Sequence, residues 1–362
     1  MYPALAVLQA LKQIGELSSP LVKHQLLWVG GSDGMEVELV DRADVDFEGI
    51  QAAGVHGVGL RALPGNTLRL GRGFMQSRRI LSQFRPDVMF FTGGYIAVPM
   101  ALAGRSVSSL LYVPDIEPGL ALKTTSRYAD HVAVSTDESM EYFPGRSGIT
   151  VTGYPVRPEL STTSVEIARQ TLGLSEDLPT LLVFGGSKGA RSINRALLSV
   201  LEDLLYEMQV VHISGKFDWD EVKTARAKIS GERQERYRAF PYLHEEMGAA
   251  LRAADLVISR AGASTLGEFP AFGLPAILVP YPHAWRYQRV NAAFLEERGA
   301  AIVIEDSELT DQFLPQVRAL MGEQIRLDEM RQAMRRLAKP AAANHIARIL
   351  LELAGESQQE RM

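Results

Sequence analysis

The chain has 362 residues, a length that fits two domains of about 100–200 residues each. Hydrophobic residues make up 46% and charged residues 22%, the balance of a globular chain, which excludes disordered, collagen-like and coiled-coil architectures. There is no cysteine and the net charge is −5, so thiolate nucleophiles, disulfides and Cys-ligated zinc are excluded, and nothing draws the whole chain toward nucleic acid.

The first segment, Met1-Tyr2-Pro3-Ala4-Leu5-Ala6-Val7-Leu8-Gln9-Ala10-Leu11, predicts an amphipathic helix, with Pro3 in the first turn, where a missing N–H is harmless. It lacks the charged leader and cleavage site of a signal peptide. Apolar β-rich runs follow at 25–30, 87–92, 109–113, 131–135 and 149–153, separated by stretches of helical periodicity, the pattern of a parallel sheet. Asp44-Val45-Asp46 reads as a charged loop with no metal role. The longest uncharged run, 88–104, is shorter than a bilayer span and contains Gly93, Gly94 and Pro99. A polar connection at 157–164 ends the first series. Strands are predicted again at 179–184, 210–213, 237–241, 256–259, 276–279 and 301–304, then a largely helical tail over 309–355 with breaks at Pro315 and Pro340. Two doubly wound α/β domains, 1–157 and 158–340, account for this order, with a final helix at 341–357 packing back on the first.

In open parallel sheets ligands bind beyond the carboxyl ends of the strands. Three strand-to-helix turns stand out. Gly185-Gly186-Ser187-Lys188-Gly189-Ala190-Arg191 opens a helix and has two readings, a tight capped turn or an anion cradle at a helix N-terminus. It matches neither the dinucleotide fingerprint nor the phosphate-loop motif. In Ser259-Arg260-Ala261-Gly262-Ala263-Ser264-Thr265-Leu266-Gly267-Glu268, Thr265 and Glu268 fit a capping box. Alternatively the N–H groups of residues 263–266 meet a phosphate while the Glu268 carboxylate accepts hydrogen bonds from a ribose diol. Thr92-Gly93-Gly94-Tyr95 places a glycine-rich turn in the first half as well.

These residues, with Gly153-Tyr154-Pro155-Val156-Arg157, Gly273-Leu274-Pro275-Ala276 and Gln288-Arg289-Val290-Asn291-Ala292, resemble the family 28 glycosyltransferases over essentially the whole chain. The resemblance implies the GT-B fold, two Rossmann-like domains facing a cleft. It implies inverting transfer of N-acetylglucosamine from UDP-N-acetylglucosamine, held by the C-terminal domain, to an undecaprenyl-pyrophosphate-linked N-acetylmuramyl-pentapeptide, held by the N-terminal domain. It implies no cofactor, metal or nucleic acid, and a peripheral location on the cytoplasmic face of the membrane in peptidoglycan synthesis. By position, Ser187 corresponds to a diphosphate contact and Arg157 to a hinge arginine near the nucleotide. Ala263, Ser264, Thr265 and Leu266 correspond to the helix start over the diphosphate, Glu268 to the ribose acid and Gln288 to a reader of sugar hydroxyls. Leu243 and His244 mark the expected uracil side, although His244 and His283 read as exposed or structural histidines. Gly93, Gly94, Tyr95 and Asp115 are the acceptor-side candidates.

The chain departs from the family pattern in two places. Family members open with a strand and a Gly-Gly-Thr-Gly-Gly-His loop before Pro-Ala-Leu-Ala, and here only Tyr2-Pro3-Ala4-Leu5-Ala6 corresponds. The N-terminal domain is therefore expected to lack its first strand, and the family's proposed general-base histidine is expected upstream of Met1, leaving the catalytic base unassigned. In Tyr112-Val113-Pro114-Asp115-Ile116-Glu117, Asp115 takes the place of a family asparagine, and Asp115 and Glu117 read as solvated loop residues or as an alternative base. Between Glu48 and Asp87 there is no acidic residue. Arg61, Arg69, Arg72, Arg78, Arg79 and Arg85 alternate there with apolar side chains, which suits an anionic membrane surface or an ordinary amphipathic helix. A UDP-sugar 2-epimerase and a non-catalytic UDP-sugar-binding protein are the alternative functions.

Overall fold

Every strand pairing among the described residues is parallel, as short strands separated by crossover helices require. The computed structural model describes residues 1–18, 25–31, 36–51, 63–161, 163–186, 189–283 and 286–361. Two units divide the chain, one of Met1–Pro155 with Ala341–Met362, the other of Val156–Pro340.

In the first unit β1 (Leu27–Gly31) pairs with β2 (Asp46–Ile50), while β3 (Val88–Phe91), β4 (Ser108–Val113), β5 (His131–Val134) and β6 (Ile149–Val151) form a four-stranded sheet in chain order. No strand pairing joins these two pieces among the described residues. The helix expected at the start is α1 (Tyr2–Ser18), whose Ala6 and Val7 are fully buried. It packs against the last helix, Ala342–Arg361, which also covers β3 and β4. The core under the sheet joins Ile50, Phe91, Leu111, Val113, Val132 and Val134.

One expectation for this unit is corrected. Asp46 does not belong to a loop: it opens β2, where Asp46 and Glu48 are exposed and Ile50 is buried. Paired on one side with β1, this strand keeps one face in water and tolerates acids there, so it carries little of the apolar signal of a buried strand.

The second unit contains β7 (Thr180–Phe184), β8 (Gln209–Ile213), β9 (Tyr237–Phe240), β10 (Leu256–Ser259), β11 (Ala276–Leu278) and β12 (Ala301–Val303), in the spatial order β12-β11-β10-β7-β8-β9. Covered on both faces, β8 and β10 are buried at every position. The link into this unit is a short turn, Pro158–Ser161, after which Ser164 caps the Val165–Leu172 helix by accepting the Ile167 N–H at 3.3 Å. Pro340 separates two helices as expected, but Pro315 does not break the chain: it sits inside the Leu309–Gly322 helix. Pro315 and Asp311, whose carbonyl loses its partner, are both exposed, whereas Leu309, Phe313, Val317 and Leu320 are buried in the core. Burial of that apolar stripe outweighs the proline penalty.

Candidate functional site

The strand order of the second unit reverses between β7 and β10. From β7 the chain winds outward through β8 and β9, then returns to β10 on the other side and continues to β11 and β12. A switch point of this kind opens a crevice beyond the strands' carboxyl ends. The turns after β7 and β10 border it, and they are two of the three that stood out in the sequence.

After β7 the Gly189 N–H donates to the Gly186 carbonyl at 2.9 Å, closing a tight turn. Ser187 and Lys188 lie outside the described residues. The backbone then enters α3 (Arg191–Glu207), whose N-cap, Ala190, supplies no side-chain acceptor, so the first-turn N–H groups face outward with the positive end of the helix dipole.

After β10, Ala263–Leu266 make one turn of 3-10 helix. Of the two readings of Thr265 and Glu268, the capping box is not built. Thr265 donates its hydroxyl back to the Gly262 carbonyl at 2.8 Å, and the Glu268–Phe272 helix has Gly267 at its N-cap with no side-chain bond. Glu268 is instead buried, 8% exposed. Its carboxyl is pushed up to about 7, burial raising it against the opposing pull of the Arg157 charge and a hydrogen bond with Ser264. Arg157, Ser264 and Glu268, singled out from two separate motifs, thus act on one another. The buried Leu266 anchors the turn.

Gln288, in the Tyr287–Glu297 helix, accepts the Tyr281 N–H on Oε1 at 2.8 Å, which turns its amide NH2 outward as a donor for a ligand oxygen. That helix packs on the 263–266 turn, and Asn291 donates to the Ala261 carbonyl at 3.1 Å. His244 and His283 are exposed, each ring lying against a tyrosine, Tyr242 and Tyr281, while Leu243 is buried.

In the first unit β3 and β4 are parallel neighbours with Phe91 beside Leu111. The Gly93-Gly94-Tyr95 turn and Asp115 therefore follow the same edge of that sheet. Gly93 and Gly94 hold φ of 106° and 85°, and Tyr95 is exposed. Asp115 is half-buried and opposes ionisation of the fully buried Tyr112, whose phenol is raised chiefly by burial. Glu117 departs from the solvated reading: it is 6% exposed, with Lys123 Nζ at 3.9 Å.

Sequence reasoning missed a set of polar residues behind the switch point. Ser192 donates to Asp306 Oδ1 at 2.7 Å and accepts from Arg260 at 2.8 Å, and Arg260 also donates to Asp306 at 2.5 Å. Asn194, His212 and Asp218 form a second group beneath α3. The available signal was the presence of histidine in an otherwise apolar strand.

Comparison with known proteins identifies the family. The glycosyltransferase family 28 N-terminal domain matches residues 1–134 and the family 28 C-terminal domain residues 180–347. The UDP-N-acetylglucosamine–N-acetylmuramyl-(pentapeptide) pyrophosphoryl-undecaprenol N-acetylglucosamine transferase of Desulforudis audaxviator is 41% identical, over 98% of this chain and 96% of that protein. The crystal structure of MurG from Acinetobacter baumannii superposes with a TM-score of 0.73 at 27% identity, over 97% of this chain and 95% of the other. The UDP-GlcNAc 2-epimerase of Neisseria meningitidis, solved with UDP-GlcNAc bound, shares the fold with a TM-score of 0.66 at 12% identity, over 97% of both chains. Two domain matches in order and identity sustained over nearly the full length show that the chain belongs to the family 28 glycosyltransferases, with their two-domain α/β fold.

Proposed function

We propose that the chain is an inverting hexosyltransferase that moves N-acetylglucosamine from UDP-N-acetylglucosamine to undecaprenyl-pyrophosphate-linked N-acetylmuramyl-pentapeptide, the lipid I to lipid II step of peptidoglycan synthesis. The observation that carries it is the pairing of a buried Glu268 with two outward-facing helix starts at the switch point, in a chain 41% identical to a transferase of that name. In this reading Glu268 accepts the ribose hydroxyls with Arg157 beside it. Ser187 and the N–H groups of Ala263 and Ser264 receive the diphosphate, while the Thr265 N–H is bonded to the Gly262 carbonyl at 3.0 Å, so Thr265 and Leu266 hold the turn in place. Gln288 donates to a sugar oxygen. Gly93, Gly94, Tyr95 and Asp115 serve the acceptor.

The acceptor hydroxyl attacks the anomeric carbon as its bond to the diphosphate breaks. Negative charge grows on the departing UDP, where preorganised N–H groups and helix dipoles stabilise it without having to reorganise. Incubation with labelled UDP-N-acetylglucosamine and the lipid-linked muramyl acceptor should place the label on the lipid in inverted linkage. Appearance of the 2-epimer of the donor, or donor binding with no transfer, would replace this reading with an epimerase or a binding protein.

The helix α2 (Leu63–Phe84) supports a peripheral site on the cytoplasmic face of the membrane. Arg69, Arg72, Arg78, Arg79 and Arg85, the last just beyond the helix, are exposed, as is Met75 at 67%; Arg61 lies outside the described residues. No described helix is long and apolar enough to cross a membrane. Exposed cations around an apolar side chain are each worth about 1 kcal/mol near an anionic leaflet. Changing Arg72, Arg78 and Arg79 together to Glu should release the protein from phosphatidylglycerol vesicles in a sedimentation assay while donor binding stays unchanged. Unaltered sedimentation would return α2 to an ordinary solvated helix.

A further inference from the structure

Behind the turn at 185–190 lies a hydrogen-bond chain whose every proton can be placed. Asn194 Nδ2 donates both to Asp218 Oδ2, at 2.8 Å, and to the Ser214 carbonyl, at 2.9 Å. Both partners are pure acceptors, so the amide has one orientation only, and its Oδ1 must accept. The group facing Oδ1 is His212 Nε2, at 3.0 Å, which is therefore the protonated ring nitrogen. Full burial holds the His212 pKa down to about 3, against an opposing effect of Asp218, so the ring is neutral and Nδ1 is an acceptor. The Tyr237 hydroxyl donates to it at 2.7 Å. At the other end Asp218, 6% exposed, accepts Arg191 Nε on Oδ1 at 2.9 Å.

This chain terminates at the loop. Arg191 and Asn194 belong to the first turn of α3, and Ser214, which Asn194 holds, is the residue on which Gly189 rests. A Cβ at Gly189 would lie 2.2 Å from the Ser214 oxygen. Ser214 is itself tied to β9 through its N–H to the Phe240 carbonyl at 3.0 Å. On the opposite side Ser192 ties the same turn to Arg260, which follows β10, and to Asp306. The helix start is thus clamped to the strands on both sides of β7.

We infer that the one-way chain from Tyr237 through His212 and Asn194 to Asp218 is a positioning device that sets where the backbone N–H groups of residues 190–193 point, and so how strongly the site holds a diphosphate as distinct from a nucleoside. The inference rests on the diphosphate reading of this turn. None of the four side chains touches ligand in this scheme. They act through the backbone, and their polarity explains why a buried strand spends a position on histidine: an apolar residue there would leave Asn194 Oδ1 unsatisfied.

The test compares two ligands at pH 8, UDP and uridine, by calorimetry for the first and by competition for the second. The ratio of their affinities isolates the diphosphate contribution. Asn194→Asp, the same size with one donor turned into an acceptor against Asp218 and Ser214, should lower that ratio tenfold or more while uridine affinity stays within twofold. Asp218→Asn should lower it in the same direction by a smaller factor, and it carries the test if the first variant does not fold. A wild-type ratio near one would defeat the diphosphate reading itself. A large wild-type ratio that both folded variants retain within twofold would overturn the positioning role, as would an equal loss of both ligands, which marks general damage.

Discussion

Glu268→Gln will make the protein more stable at pH 8 and at the same time weaken UDP-N-acetylglucosamine binding by roughly 10- to 100-fold, the loss of one or two charge-assisted hydrogen bonds. Both effects follow from burial. The carboxyl's pKa is about 7 in the fold against 4.5 for an ordinary glutamate. Between those values the folded chain keeps a proton that the unfolded chain has released. Stability therefore falls as pH rises from about 4.5 to about 7 and stays at the lower level above it. A shift of this size corresponds to at most about 3 kcal/mol. Glutamine carries no charge to desolvate, so the variant's melting temperature should exceed that of the wild type at pH 8, and the gap should close toward pH 5.

Binding runs the other way. An ionised carboxylate accepts from two hydroxyls at once, whereas glutamine presents one acceptor and one donor. The sugar nucleotide is the appropriate probe because its diphosphate is esterified at both ends and does not titrate near neutrality. Its affinity for the wild type should rise about tenfold from pH 6 to pH 8, as Glu268 gives up its proton, and should be flat with pH for the variant. Equal binding by both proteins would remove Glu268 from the ribose site. An unchanged melting temperature at pH 8 would mean that Arg157 and Ser264 stabilise the ionised form far more than the structure indicates.

The opposite signs of these two effects bear on what a sequence discloses. Glu268 is readable as chemistry because a carboxylate about one turn beyond a strand, a glycine and a helix start is placed to accept two ribose hydroxyls. Its competing role as half of a capping box is equally consistent with the letters Thr-x-x-Glu. The choice is made by tertiary packing: the short helix begins two residues too late for Thr265 to cap it, and the hydroxyl turns back to Gly262. The same limit explains β2, whose Asp46 and Glu48 face water, and Pro315, where the buried side of the helix decides the matter and the proline is on the other side. Strands buried on both faces were legible because most of their positions are apolar. Half-exposed elements were not, since their pattern depends on which neighbour covers them.

The polar chain behind α3 marks a further limit. Asn194, His212, Asp218 and Tyr237 lie far apart in sequence, and no local spacing relates them. They come together because β8 and β9 are neighbours in the sheet and α3 packs on β7 and β8. Only the incongruity of His212 within a buried run was available beforehand. By contrast the glycines of the 185–190 turn were visible, since a backbone that must come close to something else announces itself by the absence of side chains.

Gly189→Ala should abolish that close approach and reduce donor affinity by about 10²- to 10⁴-fold, the equivalent of two charge-assisted hydrogen bonds from the backbone. Gly189 holds φ at 77°, a left-handed conformation that costs an L-residue roughly 1–2 kcal/mol. That strain alone would be tolerable. The larger obstacle is the Ser214 carbonyl, 2.2 Å from where the new methyl must go. This oxygen cannot withdraw, because Asn194 holds it and the neighbouring N–H is bonded to Phe240. The turn has to move instead, carrying the N–H groups of the α3 start away from the diphosphate. Gly186 supplies the control, since its φ is 86° and a Cβ there meets nothing within 4 Å among the described residues. Gly186→Ala bears the conformational strain without the collision, and should cost stability but less than tenfold in affinity. Measured by calorimetry on both folded variants, a loss confined to Gly189→Ala assigns the effect to the contact with Ser214. Equal losses would show that backbone strain by itself disables the turn, and that the seat formed by Ser214 has no part in holding the donor.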